Sequence, residues 1–211
     1  MINSYIKSGN YPEHESLGNF YEDYLPFMYD AMGKVLSLIE TDRESVEHIK
    51  SRIKSPESMS SKLERKHEKA NVENALTKVY DACGVRVVCA FLNDVFEIVD
   101  AIKKDRSLEI WDEKNYIQNP KPNGYRSYHM ILLVPVETQN ETIKIFVEIQ
   151  IRTIAMDCWA SLEHQLKYKQ EIPNQALFIE ELKRCSSEMA STDLNLQTLR
   201  DMIDSEKQNT G

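Results

Sequence analysis

Glu148, Gln150 and Arg152 stand two residues apart in the run Ile-Lys-Ile-Phe-Val-Glu-Ile-Gln-Ile-Arg, residues 143 to 152. From Phe146 onward polar and apolar positions alternate, which predicts a strand with two unlike faces. Val147, Ile149 and Ile151 turn toward a core. The carboxylate, the amide and the guanidinium line the opposite face, about 7 Å from one to the next. Such a face suits a site that handles a metal, a base and a phosphate, and it also suits the solvent side of a sheet. The partners supplied by the rest of the chain have to distinguish the two.

Three further stretches carry chemistry. Residues 50 to 69 hold Lys50, Arg52, Lys54, Lys62, Arg65, Lys66 and Lys69 against Glu57, Glu64 and Glu68, in a chain of net charge -8. Ser55-Pro56-Glu57 reads as a helix start, with Ser55 as the cap and Pro56 at the first helical position. On that helix Lys62, Arg65, Lys66 and Lys69 are expected to share a face by their spacing. The row is either a solvated face or an anion site, and a polyphosphate would relieve its self-repulsion. Residues 85 to 91 are apolar at nearly every position except Arg86, so they predict a central strand. Arg86 there either pairs with a buried acid or faces a ligand cleft. Asp81 lies just upstream, able to cap a turn or to hold a divalent cation, and Gly84 permits a turn or close approach. In Gly124-Tyr125-Arg126-Ser127-Tyr128-His129, Tyr125, Ser127 and His129 share one face, able to stack on and hydrogen-bond a planar base; Tyr128 is expected in the core.

The elements that must position these residues follow from periodicity. Leu17 to Lys50 reads as helical, with Pro26 and Gly33 arguing against one unbroken helix and Thr41–Glu44 spaced as a capping box for a restart. Asp94 to Lys104 predicts an amphipathic helix, and 108 to 123 a long ordered loop rich in Pro and Asn. Residues 128–136 and 143–151 predict an antiparallel hairpin. Met156 to Lys169 predicts a helix anchored by Trp159, with His164 in a structural role. Residues 174 to 206 predict a long helix whose apolar stripe needs cover from the N-terminal helices or from a neighbouring subunit. Residues 1–15 are expected to be a mobile tail. The division expected is 16–173 as one domain with N-terminal helices and 174–211 as a C-terminal helix for oligomerisation.

Composition narrows the function. A chain of 211 residues with net charge -8 is one medium domain and a poor general nucleic-acid binder. Cys83, Cys89, Cys158 and Cys185 have no CxxC spacing and read as buried thiols of a reducing compartment. No apolar run reaches the ~20 residues of a membrane span and no signal peptide is evident, so a soluble, cytoplasmic protein is expected. There are no repeats and no low-complexity segments.

Together the blocks Arg52…Lys62-x-x-Arg65, Asp81-x-x-Gly84-x-Arg86, Gly124-Tyr-Arg-Ser-Tyr-His129 and Val147-Glu-Ile-Gln-Ile-Arg-Thr153 resemble the synthetase domain of the RelA/SpoT family, in its short single-domain form, the small alarmone synthetases. The resemblance covers about residues 45 to 170 and leaves no room for the hydrolase domain or the regulatory domains of the long enzymes. It implies an α+β fold, a mixed, mostly antiparallel sheet of nucleotidyltransferase-like type flanked by helices. The activity implied is transfer of pyrophosphate from ATP to the 3′-hydroxyl of GDP, GTP or GMP, giving (p)ppGpp and AMP in the stringent response.

The resemblance also implies roles. Arg52 and Arg86 would sandwich adenine; Lys54, Ser58, Lys62 and Arg65 would complete the ATP site. Asp81 and Glu148 would bind Mg²⁺, with Glu148 also activating the acceptor hydroxyl. Tyr125 would stack on guanine, with Lys114, Lys121, His129 and Gln150 around the acceptor. Asp157 stands near the guanine-side helix at a position that varies, and Arg126 and Arg152 have no assigned part. A homotetramer is implied, with a regulatory nucleotide or single-stranded RNA as a further partner. Two other readings share the residues: a phosphate-transfer enzyme with other acceptors, and a non-catalytic guanine-nucleotide or RNA sensor. Retention of both Asp81 and Glu148 favours chemistry over sensing.

Overall fold

A computed structural model describes residues 17–40, 45–139, 141–168 and 175–209. The expected tail at 1–15 and the Thr41–Glu44 capping box lie outside the described residues. The order of elements is α1 (Leu17–Glu40), β1 (Val46–Ile53), α2 (Pro56–Arg65), α3 (Val72–Lys78), β2 (Cys83–Cys89), α4 (Leu92–Lys104), β3 (Glu109–Asn115), β4 (Tyr128–Glu137), β5 (Thr142–Thr153), α5 (Ile154–Tyr168) and α6 (Gln175–Asn209). The strands form one sheet in the order β1-β2-β5-β4-β3. β2 runs parallel to β5 and the other neighbours are antiparallel. This is the mixed, mostly antiparallel α+β sheet expected.

β5 alternates as its sequence demands: Val147, Ile149 and Ile151 are fully buried, while Phe146, Glu148 and Gln150 are partly exposed on the other face. The buried face packs against α1 through Phe20, Met28, Val35 and Ile39, and against α4 through Val95, Ile98 and Ile102. α1 continues through Pro26 and Gly33 as one helix. Proline forfeits one backbone hydrogen bond there, and the buried stripe on both sides of it holds the helix together.

Several expectations change. Residues 46 to 53 are a strand, not the end of a helix, and 109 to 115 are a strand, not part of a loop. Both are edge strands with mostly exposed side chains, so they lack the apolar alternation that marks β5. α2 begins as expected, with Ser55 Oγ accepting from Ser58 N at 3.3 Å, but it ends at Arg65. Lys66 is its C-cap and Lys69 lies beyond, so the four cations do not form one helical face. Cys83 and Cys89 are buried, and burial pushes both thiols up to about 12. Cys158 and Cys185 are exposed, against the expectation for all four.

α6 packs with its polar side inward. Asp193 accepts from Thr153 Oγ1 at 2.6 Å, Gln197 Oε1 accepts from Asn93 N at 2.9 Å, and Arg200 pairs with the buried Asp94. Trp159 Nε1 donates to Leu182 O at 2.9 Å, fixing α5 to α6 and placing Trp159 in the core as expected. Leu196, Leu199, Met202 and Ile203 turn outward, 47 to 61% exposed. Leu182 is buried, but the stripe from Leu194 onward is not what holds α6 to the domain. Hydrogen-bond partners at the end of β5 and the start of α4 outweigh it, because a buried polar group left unpaired is costly.

α6 also determines one glycine. Gly124 has φ +93°, and a Cβ there would lie 2.9 Å from Ser186 Cβ and 3.0 Å from Lys183 Cα. Ser186 Oγ donates to Gly124 O at the same contact. Gly124→Ala should therefore destabilise the fold by about 1–3 kcal/mol, lowering the melting temperature by about 2–4 °C per kcal/mol. Thermal unfolding followed by circular dichroism checks this, and an unchanged midpoint would contradict the packing.

Candidate active site

The register of the sheet assembles the site. Partner residues across neighbouring strands point to the same face, so each ladder position becomes a row. One row runs Lys50, Arg86, Gln150, His129, Lys114 across all five strands. The adjacent row runs Arg52, Gly84, Glu148, Ile131, Asp112. Gly84 therefore leaves a gap in the floor between Arg52 and Glu148, and a Cβ there would touch nothing closer than 3.8 Å.

Two cavities open on this face. The first, about 430 Å³, is lined by Lys50, Arg52, Gly84, Arg86 and neighbouring backbone, and by Asp81, Glu148 and Gln150. The second, about 450 Å³, is lined by Lys62, Lys66, Tyr80, Lys114, Tyr116, Lys121, Tyr125 and His129 among others, and again by Asp81, Glu148 and Gln150. Each is in the size range of a small-molecule site. They meet at two carboxylates and an amide.

Asp81 is ion-paired to Lys62 at 2.7 Å and to Lys54 at 3.1 Å. Burial alone would raise its pKa, but the two lysines outweigh burial and hold the carboxyl below its ordinary range. Asp81 Oδ1 is buried without a hydrogen bond of good geometry, although Lys62 Nζ lies close, so that oxygen has spare coordinating capacity. Glu148 accepts from Gln150 Nε2 at 2.9 Å and faces His129 Nδ1 at 3.6 Å. Burial again pushes upward, His129 and Gln150 pull further down, and the Asp81 charge opposes them; the net shift is downward. Two like charges that feel each other, both held ionised, form a donor set suited to a hard divalent cation. No group of three or more His, Cys, Asp or Glu side chains that could hold a metal occurs among the described residues. A cation here would complete its shell with water and substrate oxygens, as Mg²⁺ prefers.

The acceptor-side residues form a connected set. Tyr125 OH lies 2.8 Å from His129 Nε2 and accepts from Arg152 Nη2 at 2.5 Å. Lys121 Nζ sits 4.8 Å from the Tyr125 ring centre and 4.7 Å from that of Tyr116. Burial among these rings pushes the Lys121 pKa down, with Glu148 opposing. Lys114 pairs with Asp112 at 2.8 Å. On the other side, Arg86 lines the first cavity with its Nε buried and lacking a hydrogen-bond partner among the described residues. A donor held there without a partner invites an acceptor or a flat ring.

The structure brings Asp81, Glu148, Arg52, Lys62, Arg86, Lys114, Lys121, Tyr125, His129 and Gln150 to the two cavities, and Lys54 onto Asp81. It does not bring Ser58 or Arg65 there. The Ser58 hydroxyl belongs to the α2 cap beside Ser55, and the Arg65 guanidinium folds back on Ser61 O at 3.1 Å. Arg126 turns away from the cleft to donate to Ile117 O at 2.7 Å. Two groups that the residue pattern left unassigned prove central: Arg152, buried, and Asp157, which pairs with both Arg152 and Arg86. The family resemblance placed Asp157 only near the guanine-side helix, at a position that varies; its place in the first turn of α5, five residues after Arg152, is what brings it to both arginines.

The depressed carboxylate pKa values fix a sign. The ion pairs of Asp81 stabilise the fold fully above the unfolded carboxylate range, near pH ~4, and are lost as pH falls through the lower folded value. Lys62→Met should move the Asp81 titration to higher pH, since burial then meets less opposition. Carbon-detected NMR of the carboxyl group reads this directly, and an unmoved titration would remove Lys62 from the account.

The family model described as a region found in RelA / SpoT proteins matches residues 51–173. GTP pyrophosphokinase YwaC of Bacillus subtilis (strain 168) is 41% identical over 168 residues, covering 76% of this chain and 79% of that protein. The crystal structure of small alarmone synthetase 2 from Bacillus subtilis is similar, with TM-score 0.76 and 38% identity, over 89% of this chain and 100% of that one. So is small alarmone synthetase 1 from Bacillus subtilis bound to its product pppGpp, with TM-score 0.76 and 27% identity, over 88% of this chain and 98% of that one. With the family model matching more than half of the chain and a relative 41% identical over most of its length, the chain belongs to the RelA/SpoT family.

Proposed function

We propose that the chain is a (p)ppGpp synthetase, which transfers the pyrophosphoryl group of ATP to the 3′-hydroxyl of GDP or GTP and releases AMP. The observation that carries this is the meeting of two nucleotide-sized cavities at Asp81, Glu148 and Gln150. A transfer between two bound nucleotides needs that plan, with the reacting atoms at the junction and a base on either side. A sensor would have no use for two ionised carboxylates at the junction.

ATP places its base in the first cavity, between Arg52 and Arg86, and its phosphates extend past Asp81 toward Lys54 and Lys62, the latter lining the second cavity. The paired lysines already hold an anion, the Asp81 carboxylate, and can exchange part of that contact for phosphate oxygens. The guanine nucleotide occupies the second cavity, with its base against Tyr125 and its 5′-phosphates toward Lys114 and Lys121. Bound Mg²⁺, held by Asp81 and Glu148, would neutralise charge on the transferring phosphates.

Glu148, held ionised by His129 and Gln150, orients the 3′-hydroxyl by accepting its hydrogen bond. The 3′-oxygen attacks the β-phosphorus, the bond from that phosphorus to the α–β bridging oxygen breaks, and AMP leaves with that oxygen. The hydroxyl proton passes to a Glu148 oxygen. A carboxylate with a lowered pKa is a weak base, so the proton moves late, when the new P–O bond is largely formed. A loose phosphoryl transition state tolerates that timing.

We further propose a homotetramer built on the outward face of α6. Leu196, Leu199, Met202 and Ile203 recur at three- and four-residue steps on a helix whose inner face is already engaged. An exposed stripe of this kind is a typical self-association surface.

Glu148→Gln should lower AMP release from ATP plus GDP by at least about 10³-fold, leaving nucleotide binding by calorimetry within severalfold; normal turnover would overturn the assigned role. Arg52→Ala should raise the KM for ATP more than that for GDP, and equal effects would undo the adenine assignment. In light scattering coupled to gel filtration, the wild type should elute as a tetramer and the double variant Leu199→Glu/Ile203→Glu as a smaller species. A monomeric wild type would contradict the assembly.

A further inference from the structure

Asp157 Oδ1 lies 2.9 Å from Arg152 Nη1 and 3.3 Å from Arg86 Nη1, so a single carboxylate oxygen holds two guanidiniums. Arg86 lines the first cavity. Arg152 reaches the second: its Nη2 donates to Tyr125 OH at 2.5 Å and to Gln150 Oε1 at 2.9 Å, and its guanidinium lies 5.1 Å from the Tyr125 ring centre. The chain Arg86–Asp157–Arg152–Tyr125 thus joins a residue lining the first cavity to one lining the second. We propose that Asp157 and Arg152 are positioning residues that couple the two nucleotide sites, so that each nucleotide binds more tightly when the other is present. The inference rests on reading the cavities as donor and acceptor sites and adds a link between them.

The two guanidiniums repel each other, and Asp157 is the group that permits them to stand together. The Arg86 pKa is pushed down first by burial and next by the Arg152 charge, while Asp157 opposes both. Exposure falls along the chain: the Arg86 side chain is 35% exposed, Asp157 13% and Arg152 5%. The Arg152 end is therefore already withdrawn from water and the Arg86 end is not. A base stacked on Arg86 removes water from its pair with Asp157, and an ion pair strengthens as its surroundings lose dielectric. The better-held Asp157 fixes Arg152, and Arg152 fixes both the hydroxyl and the face of Tyr125. A purine on Tyr125 dries and orders the same chain from the other end. Each ligand thus favours the arrangement the other needs, which is the differential interaction that coupling requires.

The test is calorimetric titration of the intact protein with an ATP analogue carrying a methylene group in place of the α–β bridging oxygen, with and without saturating GDP, and the reverse titration. In the wild type, each nucleotide should raise the affinity for the other by the same factor, about 5-fold or more. In Asp157→Asn, which keeps the shape and removes the charge, the factor should fall toward one while each nucleotide alone still binds. Asp157→Glu should restore part of it. Tyr125→Phe, which cuts only the hydroxyl contact and keeps the ring, should also reduce it, so the idea does not hang on one variant folding. A wild type without coupling overturns the inference, as does wild-type coupling in both Asp157→Asn and Tyr125→Phe. A wild type that binds neither nucleotide overturns the donor and acceptor reading, and this inference with it.

Discussion

The parallel pairing of β2 with β5 is the constraint on which the rest depends. It sets Gly84 beside Glu148 and Arg86 beside Gln150, and through β1 and β4 it extends those contacts into rows that cross the whole sheet. A shift of one residue in that pairing would turn Arg86 or Glu148 into the core and an apolar residue into the cleft. The register is held from behind, because Val85, Val87, Val147, Ile149 and Ile151 are all buried against α1 and α4. The chemistry on one face is thus positioned by the hydrophobic packing on the other. Gly84 contributes by having no side chain, which leaves open floor where a substrate can lie against the strand.

Charge in the cleft is arranged to be exchanged. Asp81 is paired with Lys54 and Lys62 and Lys114 with Asp112, while Glu148 accepts from the Gln150 amide and faces His129. Lys62 and Lys114 keep contact with water, so a polyphosphate can share or replace a carboxylate as their partner. The deeper pair, Arg152 with Asp157, is nearly closed to solvent. Breaking such a pair leaves an uncompensated charge, and this argues for it as the fixed frame around which the looser contacts rearrange.

The legible parts of the chain are those whose pattern is local. β5 announces itself by strict alternation, α2 by Ser55-Pro56, and the β4–β5 hairpin by two apolar runs around a short polar turn. Arg86 could be read because an ionised residue inside an otherwise apolar strand demands a reason, whereas the roles of Arg52, Asp81 and Glu148 came from the family resemblance. β1 and β3 could not be read, since edge strands owe their existence to pairing with distant partners and keep polar side chains. The orientation of α6 was hidden for a related reason: its periodicity marks an apolar face, but the partners that draw Asp193 and Gln197 inward lie on β5 and α4. Asp157 could be placed near the guanine-side helix but given no role, because its contacts arise only when α5 docks at the end of β5 beside Arg86. Ser58 and Arg65 show the converse, residues matching a family pattern whose side chains here are engaged within their own helix.

In the proposed mechanism an intact pyrophosphoryl group crosses from one cavity to the other at Asp81 and Glu148. Incubation with Mg²⁺, GDP and ATP labelled at the β-phosphorus, followed by chromatography and ³¹P NMR, follows that group directly. The label should appear at the 3′-position of the guanine nucleotide, in amounts equal to the unlabelled AMP released. Label recovered in ADP, or as free pyrophosphate with an unmodified guanine nucleotide, would contradict the account.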